Sequence, residues 1–248
     1  MRIDVVFGPA AAVPSEITGR VVAVIDVLRA SSSIAAALAH GARAVIPLDS
    51  PDDVVTRAKS LDRSEVLLAG ERRMLRIPGF DLGNSPSEFG QATVEGKTVL
   101  LTTTNGTPAI VSSQSARDVV IASYVNYTAV LTMLRTALRG GTDVTLICAG
   151  RDRQFALEDA GCAGRFVFSL SKRLTGLELN DAAQACALID RKYGDHIIRL
   201  LEASEHGRAL RDAGFGSDLI TCAAVDAHPV IPLYQDRQIT KLGPNRER

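Results

Sequence analysis

Apolar residues gather along this chain in short unbroken runs, each closed by a glycine or a cluster of small polar residues. Arg20–Leu28 is such a run, and its continuity predicts a strand covered on both faces. Ser31–His40 then reads as a helix, with Ser31 placed to cap it and Gly41 to stop it. Arg43–Leu48 predicts a second strand. Ser50-Pro51-Asp52-Asp53 follows as a helix start, with a capping hydroxyl, Pro at the first position and acids in the first turn. Glu65–Ala69 predicts a third strand that runs into Gly70-Glu71-Arg72, and Lys97–Thr102 a fourth. Thr107-Pro108 opens the next helix with Thr as its cap. Asp118–Ala122 and Asp143–Ala149 read as strands on either side of a helix over Asn126–Leu138.

Strands alternating with helices predict a three-layer α/β/α fold with a largely parallel sheet. The pattern changes after residue 150: Leu157–Leu174 and Asp181–Ala213 read mainly as helices, broken near Gly176 and Gly194. His228–Ile239 carries two prolines and reads as an edge strand or a strap. No internal repeat or low-complexity linker divides the chain. The predicted organisation is one domain over residues 1–248, a sheet core in 1–150 and a helical completion in 151–248.

Composition narrows the class. Acidic and basic residues number 28 each, so no broad positive field exists to hold nucleic acid. No apolar run reaches membrane-spanning length, and Met1-Arg2-Ile3-Asp4-Val5 lacks the pattern of a signal peptide. Cys148, Cys162, Cys186 and Cys222 form no C-x-x-C pair and sit in apolar settings, which predicts free buried thiols in a reducing cytoplasm. A homo-oligomer is the default for a soluble enzyme of this size.

Ligands of parallel α/β sheets bind beyond the carboxyl ends of the strands. The first predicted strand delivers Asp26, Arg29 and Ser31-Ser32-Ser33 there, and the third delivers Glu71 and Arg72. The fourth delivers Thr103, Thr104, Asn105, Gly106 and Thr107, and Asp143–Ala149 leads to Gly150 and then Glu158-Asp159. Asp26 interrupts an otherwise apolar run, and a buried carboxylate is costly unless paired or metal-bound. It is therefore read as a metal ligand or catalytic group, against the alternative of an ion pair with Arg29. Arg72 suits a bidentate grip on phosphate, sulfonate or carboxylate. The hydroxyls and N–H groups of Ser31–Ser33 suit phosphate, the alternative being helix capping by Ser31.

Glu158-Asp159 opens a helix and would serve Mg²⁺ if Asp26 and Glu71 approach the same point. His206, within Ser204-Glu205-His206-Gly207, reads as a proton donor or anion grip, the alternative being a structural hydrogen bond. Gly79-Phe80-Asp81-Leu82-Gly83-Asn84-Ser85-Pro86 and Thr102–Thr107 make sharp turns whose N–H groups and hydroxyls suit an anion. Together these residues point to metal-assisted chemistry on a small phosphorylated acid. The phosphate loop G-x-x-x-x-G-K-[ST], the dinucleotide fingerprint G-x-G-x-x-G and the G-x-S-x-G elbow are absent.

Ile25-Asp26-Val27-Leu28-Arg29-Ala30-Ser31-Ser32, Gly70-Glu71-Arg72, Gly79–Pro86 and Thr102–Thr107 resemble the 2-phosphosulfolactate phosphatase family. So do Cys148-Ala149-Gly150, Leu157-Glu158-Asp159, Cys162-Ala163-Gly164 and Ser204-Glu205-His206-Gly207, and the resemblance runs from Val21 to Asp226. It implies a three-layer α/β/α enzyme, a Mg²⁺-dependent phosphoric monoester hydrolase that converts 2-phospho-3-sulfolactate to 3-sulfolactate and phosphate, a step of coenzyme M biosynthesis. Pro108 departs from an expected basic residue, and Ala156 from an expected Ser.

On this reading Asp26, Glu71, Glu158 and Asp159 hold Mg²⁺, and Asp26, Glu71 and His206 carry the chemistry. Arg29, Arg72 and Ser31–Ser33 hold phosphate. Asn84, Ser85, Thr104, Asn105, Gly106 and Thr107 orient the rest of the substrate. The alternatives are a phosphatase of a related phosphorylated carboxylic or sulfonic acid, and a non-catalytic anion-binding homologue.

Overall fold

A computed structural model describes residues 1–8, 13–152, 154–172, 174 and 176–243. Its elements run β1 (Arg2–Phe7), α1 (Pro14–Ile17), β2 (Val21–Ile25), α2 (Ala30–Ala39), β3 (Ala44–Pro47), α3 (Pro51–Ala58), β4 (Val66–Arg72), β5 (Leu75–Arg76), α4 (Gln91–Val94) and β6 (Thr98–Thr102). There follow α5 (Gly106–Ser112), β7 (Asp118–Ala122), α6 (Tyr127–Arg139), β8 (Val144–Cys148), α7 (Leu157–Ser171) and β9 (Glu178–Leu179). The chain continues with α8 (Asp181–Tyr193), α9 (Ile197–Ala203), α10 (Glu205–Asp212), α11 (Gly216–Ala223), β10 (Pro232–Gln235) and β11 (Gln238–Lys241).

One mixed sheet of order β5-β4-β6-β3-β11-β10-β7-β2-β8-β1-β9 organises the molecule. It contains two parallel blocks. β4, β6 and β3 form one, and β7, β2, β8, β1 and β9 form the other. The hairpin β10–β11 joins them by pairing antiparallel with β7 on one side and β3 on the other. This corrects the expectation of an edge strand or strap over His228–Ile239. Pro232 is tolerated inside the sheet because it occupies the first position of β10, where its missing N–H is least needed.

The alternation within the strands shows why both blocks read as continuous apolar runs. Val21, Ala23 and Ile25 of β2 face one core, filled by α6, α7, α9 and α11; Val22 and Val24 face a second. That second core also receives Leu67, Ala69, Val99 and Leu101 from β4 and β6, with α2 and α5 packed inside it. On the outer face of β4 and β6, Val66, Leu68 and Leu100 pack with Val54 of α3. Helices on both faces bury the central strands of both blocks, as a parallel sheet requires, while edge residues such as Arg2 and Glu178 stay in water. The shared second core brings the carboxyl end of β2 against that of β6. An added Cβ on Gly106 would lie 2.6 Å from Asp26 Oδ2 and 2.5 Å from Ala30 Cβ, so only glycine permits this approach.

Two expected caps are displaced. Ser31 lies inside α2 rather than before it, and Asp26 Oδ1 instead accepts the Ala30 N–H at the helix start. Thr107 lies inside α5, where its N–H is taken by Thr103 Oγ1 while its own Oγ1 accepts the Thr103 N–H. Ser50 caps α3 as the sequence predicts, accepting the Asp53 N–H. The breaks expected near Gly176 and Gly194 fall after α7 and after α8; residue 173 of the helix expected over 157–174 lies outside the described residues.

Candidate active site

Beyond the carboxyl ends of β2, β4, β6 and β8 lies a cleft of about 550 Å³. Asp26, Leu28 and Arg29 line it from the turn after β2, Glu71 to Met74 from the end of β4, and Thr103 to Asn105 from the end of β6. Asn84, Arg151, Asp152 and His206 complete it. The expected convergence of strand ends on one edge is therefore observed.

The carboxylates divide into two kinds. Glu71 accepts the Thr104 N–H on Oε1 and the Met74 N–H on Oε2, at 2.7 and 2.9 Å. Asp159 accepts the Val27 N–H on Oδ1 and the Gly150 N–H on Oδ2, at 2.9 and 3.0 Å. Both therefore pin two strand-end turns together. Asp26 and Glu158 differ. Asp26 Oδ1 takes the Ala30 N–H, and its Oδ2 accepts no hydrogen bond and opens on the cleft. Glu158 Oε1 lies 3.1 Å from His206 Nδ1, and its Oε2 accepts none. Arg29, the partner first considered for Asp26, turns elsewhere.

Burial dominates the electrostatics here. It pushes the Asp26 carboxyl up to about 6; His206 and the Ala30 N–H oppose the shift, and the charges of Glu71 and Glu158 add to it. Asp159 is pushed well above the usual carboxylate range by burial and then by Glu158 and Asp26, although its two N–H donors favour the charged form. The positive side of the cleft comes from Arg29, Arg72, Arg73 and Arg151. Arg72 is steadied by Thr102 Oγ1 and the Glu71 carbonyl, and Arg151 by Glu205.

Several expected contacts sit behind the wall instead of on it. Ser31 Oγ accepts the Asp26 N–H, Ser32 Oγ donates to the Val27 carbonyl, and Ser33 Oγ donates to the Asn84 carbonyl. These hydroxyls hold α2 and the glycine-rich loop in place and do not reach the cleft. The loop Gly79–Pro86 is likewise no open cradle of N–H groups. Those of Asp81 and Leu82 bond the Leu68 carbonyl, and those of Gly83 and Ser85 bond Glu88. Ser85 Oγ donates to Asp218, and Gly106 and Thr107 pack beneath the floor. Thr104 and Asn105 do line the cleft.

Asn84 stands apart. It is 4% exposed, its backbone is fixed by Ser33, and its Oδ1 is a buried acceptor with no partner. An unsatisfied buried acceptor costs about 1–3 kcal/mol, so it marks a place where a ligand or water donor belongs.

The four carboxylates expected to hold Mg²⁺ do not meet as a cage. Among the described residues, no group of three or more His, Cys, Asp and Glu side chains is placed to hold a metal. Glu71 and Asp159 are occupied by backbone donors on both oxygens. What remains fits a hard cation bound sparingly. Asp26 and Glu158 each keep an oxygen free of protein donors, and Asn84 Oδ1 adds a neutral one. Mg²⁺ commonly takes one or two carboxylates, with waters and substrate oxygens filling the rest.

Arg151, Asp152, Met74 and Asp218 were not singled out from the sequence. Arg151 follows Gly150 at the end of β8, where the strand-end rule reaches it. Gly150 has φ +74°, and a Cβ there would lie 2.2 Å from the Gln154 carbonyl oxygen, so glycine makes the turn that delivers Arg151. Asp218 carries no local signal, since it lies on α11 far along the chain.

Such a site, an arginine-lined cleft with a buried acid and a His–carboxylate pair at the ends of parallel strands, is suited to hydrolysis of anionic esters. The family profile described as 2-phosphosulpholactate phosphatase matches residues 8–237, and the chain belongs to that family of phosphoric monoester hydrolases. It is 39% identical over 227 residues to a probable 2-phosphosulfolactate phosphatase of Symbiobacterium thermophilum, covering 92% of this chain and 96% of that one. Its identity to a probable 2-phosphosulfolactate phosphatase of Clostridium botulinum strain Alaska E43 is 34% over 242 residues, covering 98% and 100%. A probable 2-phosphosulfolactate phosphatase of Carboxydothermus hydrogenoformans is 39% identical over 232 residues, covering 94% and 92%.

Proposed function

We propose that this chain hydrolyses 2-phosphosulfolactate to 3-sulfolactate and inorganic phosphate, the step that coenzyme M biosynthesis requires. The supporting observation is one buried carboxylate, Asp26, whose Oδ2 is left without a hydrogen bond in a cleft that also holds four arginines and His206, which Glu158 contacts from an adjoining hollow. A substrate with phosphate, carboxylate and sulfonate groups offers anions to the N–H donors those arginines keep free.

Phosphoryl transfer needs its oxygens neutralised, its nucleophile in line and its leaving oxygen protonated. Arg72, Arg151 and Arg29 hold the anionic groups through guanidinium N–H donors. Asp26 Oδ2 and Asn84 Oδ1 are acceptors, so together they orient the two O–H bonds of the attacking water. Asp26 takes one of its protons as the water oxygen bonds to phosphorus. The bond from phosphorus to the substrate's C2 oxygen breaks, and His206, steadied at Nδ1 by Glu158, gives that oxygen a proton. Asp26 and Glu158 are the carboxylates that would hold Mg²⁺, which when bound supplies charge neutralisation on the phosphoryl group.

Among the described residues, no helix is long and apolar enough to cross a membrane. The four buried free thiols accord with work in a reducing cytoplasm.

Phosphate release from 2-phosphosulfolactate, phosphoglycerate and phospholactate, each with Mg²⁺ and with EDTA, tests this reading. Mg²⁺-dependent release favouring the sulfonate is expected. Release favouring a comparator would move the substrate, and no release from any would end the proposal.

A further inference from the structure

Arg29 is 3% exposed and Asp218 is 1% exposed, yet Arg29 lines the cleft and Asp218 lies behind it. The Arg29 guanidinium is held on three sides. Its Nη1 donates to Asp218 Oδ2 at 2.7 Å, and its Nη2 donates to the Met74 carbonyl at 2.7 Å. Its face lies 4.4 Å from the centre of the Phe215 ring. The other oxygen of Asp218 accepts the Ser85 hydroxyl at 2.6 Å. Ser85 adjoins Asn84, which lines the same cleft and carries the orphaned acceptor.

A single carboxylate from α11 therefore ties two separate walls together, the turn after β2 and the glycine-rich loop. A buried guanidinium without a partner is strongly disfavoured, and a carboxylate with one oxygen on Arg29 and the other on Ser85 fixes both groups at once. Arg29 keeps further N–H donors, and their aim depends on where Asp218 holds its fork.

We propose that Asp218 is a positioning residue: it fixes Arg29 and the Asn84–Ser85 turn in the geometry that grips the substrate's anionic group. The proposal rests on the phosphatase reading of the cleft and concerns binding more than the chemical step. Phe215, under the guanidinium, belongs to the same device, so α10 and α11 supply both a catalytic residue and the brace for the opposite wall.

The test compares D218A, D218N and R29A, and the double variant R29A/D218A. Its readouts are kcat and KM for phosphate release, the Kd of inorganic phosphate by calorimetry, and the melting temperature. For D218A the expected result is a rise of about 10- to 100-fold in both KM and phosphate Kd with kcat within about threefold, as misplacement of a gripping group predicts. D218N, which keeps shape and one acceptor but not the charge, should show a smaller rise of about three- to tenfold in phosphate Kd. The double variant should bind phosphate no worse than R29A alone, because the two residues act as a unit.

A folded D218A with wild-type KM and Kd and only a lower melting temperature would overturn the proposal, leaving Asp218 purely structural. If D218A does not fold, D218N decides: a rise of about threefold or more in Kd supports the assignment, and an unchanged Kd overturns it. Phosphate binding that depends on Asp218 in a protein that hydrolyses no ester would uphold the brace and refute the phosphatase reading.

Discussion

The two walls of the cleft use the same residue types to opposite ends. On the side built from β4, β6 and the loop Gly79–Pro86, the carboxylates of buried Glu71 and half-buried Glu88 each accept two backbone N–H groups. On the side built from β2, α7 and α10, Asp159 is likewise saturated, but Asp26 and Glu158 keep an oxygen free, sit within reach of each other's charge and meet a histidine. A saturated carboxylate is scaffolding, since its lone pairs are directed and its charge is solvated by the chain. One that is desolvated and incompletely bonded is poised to take a proton or a cation. The pattern of partners, more than burial, separates the two.

That division is broken most severely at Asp26. D26N should lower kcat about 10³-fold with KM nearly unchanged, measured by steady-state phosphate release. The same variant should be more stable than the wild type at neutral pH. The folded-state pKa of about 6 lies above the ordinary 3.8, so the folded protein binds more protons between these values and loses stability as pH rises through them. D26N should therefore melt later at pH 7.5, by a margin on the order of 2 kcal/mol, and the difference should vanish as pH falls below about 4. A D26N protein less stable than wild type at pH 7.5 would refute the desolvation argument.

Next in size is the His206–Glu158 pair. H206Q should lower kcat about 100-fold and E158Q about tenfold, with the double variant little worse than H206Q alone. Additive losses would separate the two residues. Asp26 also predicts a pH profile. It must be ionised to take a proton, so kcat/KM should rise about tenfold per unit as pH climbs toward 6. A flat profile across that range would remove Asp26 from the role. The smallest effect belongs to the other wall: E71Q loses one of two N–H contacts and should cost about 1–2 kcal/mol in thermal stability while leaving kcat within about twofold. A collapse of kcat there would show that the division between walls is false.

Much of this was legible in the chain. Asp118–Ala122 is the strand expected, and Asp26, Glu71, Arg72, Thr104 and His206 do reach one cleft, because apolar periodicity and the strand-end rule are local signals. Partner choice was not legible. Ser31–Ser33 look like a phosphate cradle in sequence, yet each hydroxyl finds a protein partner once α2 packs. Asp159 beside Glu158 looks like its equal, but the turn at Gly150 offers it a donor that Glu158 never meets. Asp218 lacks any local mark because its meaning lies in two residues distant in sequence. The hairpin β10–β11 was misplaced for a related reason: two prolines suggested an edge, and nothing nearby revealed two open strands awaiting it.

That hairpin has a consequence for the order of assembly on the ribosome. Residues 232–241 emerge after every other strand has been made, and until they do, β3 and β7 each present a bare edge to the surroundings. The nascent chain thus carries two sticky sheet margins at once, each able to recruit a neighbouring polypeptide. The final hairpin of the sheet is the one that seals both, so a truncation just before Pro232 should yield aggregation rather than a slightly weaker enzyme.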